Sequence, residues 1–227
     1  MKKPVIAIDG YSSTGKSSIS KVIAEKLGLI HLDTGALYRG ITYFALENCF
    51  EIDHIDFEKL SQLLCKVHLE FIQKNDELLL FLNEIDVSKE IRTSKVSDFV
   101  SIVARQPEVR NFLLDTQRNI AEKGGVIMDG RDIGTVVLPN ADLKFFLTAS
   151  IEERTKRRFH ELVSLGIDAN ETEVRQNLIN RDKMDSEREI APLKKSEDAI
   201  LIDNSDLNKE QTIALMLEII NKNCKAH

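Results

Sequence analysis

The sequence has no run of apolar residues that approaches the ~20 a helix needs to cross a bilayer. It has no C-x-x-C pair, no guanine-reading N-K-x-D pattern, no internal repeat and no low-complexity stretch. It also has no surplus of positive charge: 31 lysines and arginines stand against 37 aspartates and glutamates, for a net charge of −6. That balance argues against a protein that holds nucleic acid by bulk charge, and leaves room for a local basic cleft. The three cysteines, Cys49, Cys65 and Cys224, are scattered. So odd and sparse a set predicts reduced thiols in a cytoplasmic protein. Met1-Lys2-Lys3 imitates the start of a signal peptide, but Asp9 and a glycine loop break the apolar stretch behind it, so no targeting segment and no membrane partner are expected. At 227 residues the chain can bury a sizeable core, in one domain with insertions or in two small ones.

What is present begins with GYSSTGKSS, Gly10 to Ser18, directly after the apolar run VIAID. Gly10, Gly15, Lys16 and Ser17 satisfy the phosphate-loop spacing G-x-x-x-x-G-K-[ST]. Val5-Ile6-Ala7-Ile8 reads as a buried strand. Ile19, Val22, Ile23 and Leu27 recur at helical spacing, and Gly28 can end that helix. Strand, glycine loop and helix N-terminus together make an anion site, because backbone N–H groups converge there and the helix dipole favours negative charge. Lys16 would reach the outer phosphates of a nucleoside triphosphate, and the Ser17 hydroxyl would take a position on Mg²⁺. The loop alone does not separate a kinase from a GTPase switch or a motor.

Further along, His68 to Ile72 and Leu78 to Leu82 read as strands joined by a turn at Lys74 to Glu77, an antiparallel hairpin inside an otherwise alternating chain. Phe99 to Glu122 is helical, with Pro107 as an interruption or a helix start. Strands follow at Gly125 to Asp129, Leu143 to Leu147 and Ala199 to Asp203, and helices at Glu152 to Gly166, Glu171 to Glu189 and Lys209 to Asn221. Alternation of this kind predicts an α/β fold with a parallel sheet covered on both faces, and ligands beyond the C-terminal strand ends.

Arginines sit at the ends of these elements: Arg39, Arg110, Arg131, Arg181 and Arg188. Asp129 closes a strand and could hold Mg²⁺ through water; the alternative is a turn-forming Asp-Gly. Arg181, Asp185 and Arg188 are four and then three apart, so one helix face would carry all three. The alternative is a solvated face with ion pairs worth ~0.3–0.5 kcal/mol each. Arg154, Arg157 and Arg158 form a similar cluster on the preceding helix. The two helices flank Gly166 to Asn170 and read as a lid that brings positive charge onto phosphates and excludes water.

The succession GYSSTGKSS, LDTGALYR, DGRDIGTVVLPNAD and RDKMDSEREIAPL resembles the bacterial cytidylate kinase (CMP/dCMP kinase) family of nucleoside monophosphate kinases. The resemblance covers nearly the whole chain, including DVSKEIRTSKVS and PEVR. It implies one phosphate-loop kinase domain over residues 1–227, with 41–100 as a monophosphate-binding insertion carrying a small antiparallel sheet and 154–190 as a short helical lid. It implies ATP, with Mg²⁺, as donor and CMP or dCMP as acceptor. By that resemblance Gly10, Tyr11, Ser12, Ser13, Thr14, Gly15, Lys16, Ser17 and Ser18, with Arg157 and Arg158, bind ATP. Thr34, Arg39, Ser101, Arg110, Arg131, Asp132, Arg181, Asp185 and Arg188 bind CMP. Lys16, Arg131 and Arg188 act on the transfer, and Ser17 and Asp129 hold the metal. A monomer is expected. Two positions depart from the family: Tyr11 replaces proline and is expected to alter only loop stiffness, and Thr34 replaces a serine while keeping its hydroxyl. The alternatives are a kinase for UMP, AMP or shikimate, and a regulatory phosphate-loop switch.

Overall fold

The computed structural model describes residues 3–74 and 77–224. The chain runs β1 (Val5–Gly10), α1 (Lys16–Leu27), β2 (Ile30–Asp33), α2 (Thr34–Asn48), β3 (Phe50–Glu51), β4 (His54–Ile55) and α3 (Phe57–Leu63). It continues with β5 (Leu69–Lys74), β6 (Glu77–Leu82), β7 (Ile85–Asp86), α4 (Ser94–Val103), α5 (Pro107–Glu122) and β8 (Val126–Gly130). After a π-helical turn at Ile133–Val137 come β9 (Leu143–Thr148), α6 (Ile151–Ser164), α7 (Glu171–Ser186), β10 (Ile200–Asp203) and α8 (Lys209–Cys224). Two compact units result: Met1–Asp33 with Arg118–His227, and Thr34–Gln117. Among the described residues no helix is long and apolar enough to cross a membrane.

The first unit is built on a five-stranded parallel sheet in the order β10-β9-β1-β8-β2. Ile6, Ala7 and Ile8 of the central strand are fully buried, as a strand covered on both faces requires. Its core joins Ile6 and Ile8 to Ile19 and Ile23 of α1, Phe145 and Leu147 of β9, and Met216 and Ile220 of α8. Gly28 ends α1 in the left-handed conformation (φ 62°) that a glycine adopts without strain.

The second unit has its own core, with Leu37 and Ile41 of α2, Leu69 and Leu80 of the small sheet, and Val103 and Leu113 of the later helices. Its sheet has the antiparallel order β5-β6-β7. The hairpin register runs from Leu69↔Leu82 to Lys74↔Glu77; the two residues expected at the tip lie outside the described ones. A side chain at Gly40 would press on Leu69 and Leu80 at 3.0 and 3.1 Å, so α2 lies close over this sheet. The tract expected from Phe99 to Glu122 is two helices, with Pro107 at the first position of α5, where its missing N–H leaves nothing unpaired. The short strands β3, β4 and β7, the helix α3 and the π-helical turn were not expected. Each spans seven residues or fewer, too short for a periodic pattern to show.

The π-helical turn is held by a residue of the central strand. The Asp9 carboxylate, 3% exposed, accepts from the Ile133 and Gly134 backbone N–H groups, both at 2.8 Å. Arg118 grips the same turn through the Val136 and Val137 carbonyls. Burial pushes the Asp9 carboxyl from 3.8 up to about 6 against those two N–H donors, with Asp132 adding to the rise and Lys16 opposing it. Folded Asp9 therefore keeps its proton where the unfolded chain has lost it. The stability this confers is complete below about pH 4 and is lost as pH rises to about 6. Asp9→Asn cannot ionise. Urea unfolding of both proteins should show the difference moving in favour of asparagine by ~2–3 kcal/mol between about pH 4 and pH 7. A pH-independent difference would contradict the assignment.

Candidate nucleotide site

The loop after β1 has the backbone of an anion cradle. A Cβ at Gly10 (φ 149°) would stand 2.0 Å from the Leu147 carbonyl oxygen, so only glycine fits there. Ser13 and Gly15 both have positive φ, 59° and 87°, which turns successive N–H groups to one side. No side chain caps α1, so its first amides are available to an anion. Lys16 donates to the Tyr11 carbonyl at 2.6 Å. Burial, helped by nearby Arg131, lowers its pKa to about 7, against the pull of Asp129, Asp9 and Asp185.

Ser17 Oγ donates to Asp129 Oδ2 at 2.7 Å, and the other oxygen of Asp129 meets His31 Nε2 at 2.6 Å. Asp129 is a buried strand residue rather than part of a turn. A hydroxyl and a carboxylate at the mouth of an anion cradle are the hard oxygen ligands that suit Mg²⁺. Among the described residues no cluster of three or more His, Cys, Asp or Glu could hold a metal unaided, so a cation here would complete its shell with phosphate oxygens and water.

Guanidinium groups around the loop are held by acids. Arg131 donates through Nε to Asp185 (2.9 Å) and through Nη2 to the Ser12 hydroxyl (2.7 Å). Burial disfavours its charge, but Asp185, with Asp182 and Asp129 behind it, keeps its pKa above the ordinary value. Burial likewise pushes Asp185 up, yet Arg131, Arg188 and Arg181 together hold it below the usual carboxylate range. Arg188 meets Asp132 at 3.2 Å, with both side chains about 95% buried. Arg154 meets Asp182 at 2.5 Å and donates to the Ser12 carbonyl. Asp182 also accepts from the Ser12 N–H at 3.4 Å.

The shared helix face holds only for Arg181 and Asp185. Helix α7 ends at Ser186, and the chain turns back through Ala191 (φ 51°), whose carbonyl accepts from Arg188 Nε. Arg188 thus reaches Asp132 from beyond the helix. Tyr11 does more than change loop stiffness: its ring lies under the Arg154 guanidinium (5.2 Å) and edge-on to Phe146 (5.8 Å). Of the two arginines expected at ATP, Arg157 donates to Asn204 and Leu207 and, at 3.5 Å, to the Thr14 carbonyl of the loop. Arg158 pairs with Glu161 along α6.

The second unit carries Thr34 at the start of α2, Arg39 one turn on, Ser101 in α4 and Arg110 in α5. Thr34, Ser101 and Arg110 are buried. Arg110 lies over the Tyr38 ring and donates to the Ala104 carbonyl. Sequence reasoning missed Asp9, His31, Asp182 and Asn204, whose amide donates to the Thr14 carbonyl at 3.0 Å. Asp9 left a signal, a charge closing an otherwise apolar strand; the others left none.

The model of the cytidylate kinase family matches residues 6–222. The cytidylate kinase of Bacillus subtilis (strain 168) is 47% identical over 221 residues, covering 97% of this chain and 98% of that one. The cytidylate kinase of Bacillus cereus (strain ATCC 10987 / NRS 248) is 46% identical over 220 residues, 97% of each chain. Among solved structures, an uncharacterized protein from Eubacterium ventriosum ATCC 27560 superposes with a TM-score of 0.51 at 15% identity, over 97% of this chain and 99% of that one, a likeness of fold alone.

The contact of Tyr11 with Arg154 generates its own test. A cation–π pair contributes ~0.5–2 kcal/mol, depending on how far it is desolvated. A double-mutant cycle of Tyr11→Leu and Arg154→Met, read by urea unfolding, should return a coupling of that size. A coupling of zero would make the two side chains mere neighbours.

Proposed function

The chain belongs to the cytidylate kinase family, and from that premise we propose that it transfers the terminal phosphoryl group of ATP to the 5′-phosphate of CMP and dCMP. The observation that carries this reading is Arg131, which donates at once to Ser12 of the phosphate loop and to Asp185 of α7. One guanidinium there spans the donor's cradle and the acceptor's clamp.

The attacking oxygen of a nucleoside monophosphate is already ionised at neutral pH, so no general base is needed. Positioning and charge neutralisation carry the reaction. In this reading residues 10–18 cradle the triphosphate, with Lys16 on its outer phosphates and Arg157 beside the loop. Arg154, already hydrogen-bonded to Ser12, is a better candidate for the phosphates than Arg158, which is engaged with Glu161. Arg39, Arg131 and Arg188 hold the acceptor phosphate, since a planar fork matches phosphate oxygens bidentately. Bound Mg²⁺ supplies charge neutralisation on the phosphates, and Ser17 and Asp129 are the residues that would hold it.

Arg181 and Asp185 address the sugar through its 3′-hydroxyl, which suits CMP and dCMP equally. Thr34, Ser101, Arg110 and Asp132 read cytosine, whose amino donor and ring acceptors match a carboxylate and a guanidinium. The protein acts as a monomer in this reading. A cytoplasmic location follows from dependence on the ATP pool.

Asp132 has two duties here, because it also holds Arg188. Asp132→Ala should therefore lower activity with every acceptor by loosening Arg188. It should lower CMP further, because uracil presents a carbonyl where cytosine presents its amino group. A mismatched polar contact costs ~1–3 kcal/mol, or roughly 5- to 150-fold in kcat/KM. A coupled kinase assay across CMP, dCMP, UMP and AMP tests both levels. Wild type should prefer the two cytidine nucleotides, and the CMP/UMP ratio should narrow in the variant. An unchanged ratio would leave Asp132 with the Arg188 contact alone, and preference for another acceptor would overturn the proposed substrate.

A further inference from the structure

His31 is a histidine of the edge strand β2, and nothing in the proposed reaction uses it. Strands β2 and β8 are parallel, with His31↔Ile127 and Asp33↔Asp129 in register. Alternation along the strands puts His31 and Asp129 on one face. The imidazole leans forward along the strand to reach Asp129, at 2.6 Å, with its side chain 17% exposed. A carboxylate has no proton to give, so Nε2 is the donor in this pair. Asp129 Oδ2 is meanwhile taken by the Ser17 hydroxyl at 2.7 Å.

A free aspartate carboxylate turns easily about its last torsion, whose preferences are broad and two-fold. With one oxygen fixed by Nε2–H and the other facing Ser17, Asp129 has a single orientation. We propose that His31 is a positioning residue for the metal of the nucleotide site: it locks one oxygen of Asp129 so that the other stays turned toward Ser17. This rests on the reading of Asp129 as a metal-side acid. The bond is charge-assisted and short, so it also orders the carboxylate before nucleotide arrives. Groups that orient a metal-side carboxylate typically change metal affinity by about 10- to 100-fold when removed.

The test uses the full chain with ATP and Mn²⁺, whose binding is read from the relaxation of water protons without turnover. His31→Phe removes the donor and keeps a ring. His31→Gln keeps an amide N–H where Nε2 stood. His31→Asn, too short to reach Asp129, reproduces the loss if the phenyl ring is not accommodated. Mn²⁺ should bind the ATP complex of the Phe or Asn variant about tenfold more weakly, and the Gln variant should recover most of that loss. The KM for CMP should stay within about twofold of wild type in all three, because acceptor contacts are untouched. Wild-type Mn²⁺ affinity in the Phe and Asn variants, with Asp129→Asn weakened, would overturn the role of His31 and leave Asp129 its own. A Gln variant as weak as Phe would overturn it too, since the donor would not be what matters. An unaffected Asp129→Asn would overturn both the metal-side reading of Asp129 and the proposal built on it.

Discussion

Three guanidinium–carboxylate pairs hold the C-terminal end of the parallel sheet: Arg131–Asp185, Arg154–Asp182 and Arg188–Asp132. An arginine taken out of water loses several kcal/mol of hydration unless a partner replaces it. These pairs supply the partner without supplying much net stability. What they gain is placement: each guanidinium is held in one position by its carboxylate, so little side-chain entropy would be left to lose on binding an anion. Asp182 also ties α7 to the loop through the Ser12 N–H, and Asp132 ties the segment behind α7 to the end of β8 through Arg188.

The same economy runs through the loop itself. Gly10 is forced by the Leu147 carbonyl, Gly15 leaves the first amides of α1 uncapped, and Lys16 is buried with its proton weakly held. Asp9 sits one residue before the loop and fixes the turn one residue after Asp132. The glycine loop and the segment after β8 are therefore registered against each other by adjacent parallel strands, β1 and β8. The buried carboxylates of Asp9 and Asp129, liabilities in an apolar core, are satisfied by backbone N–H groups in one case and by Ser17 and His31 in the other.

Much of this was legible in the residues. The phosphate loop has fixed spacing, the central strands are unbroken apolar runs, and Gly28 and Pro107 mark helix ends by backbone chemistry alone. The pairings were not legible, because Arg154–Asp182 and Arg188–Asp132 join residues 28 and 56 apart, and no local pattern encodes such distances. Arg188 was placed on a helix that stops two residues earlier; its guanidinium is instead held by the carbonyl of Ala191, whose positive φ is unusual for a residue with a side chain. Tyr11 was read through the backbone preferences of the loop, whereas its ring engages Arg154 and Phe146, contacts set by tertiary packing. His31 carries no signal in the sequence, since only the register of β2 on β8 brings it to Asp129.

The claim that these acids hold the guanidiniums is tested most directly on Asp185, which is 5% exposed and faces Arg131. The measurement is the unfolding free energy of Asp185→Asn against wild type at neutral pH, without nucleotide. Removing one member of a buried pair leaves the other charge uncompensated, so the account predicts a loss of ~3 kcal/mol. A loss below ~0.5 kcal/mol, the size expected of an ordinary surface substitution, would mean that Arg131 is held by something other than its carboxylate and would contradict the account.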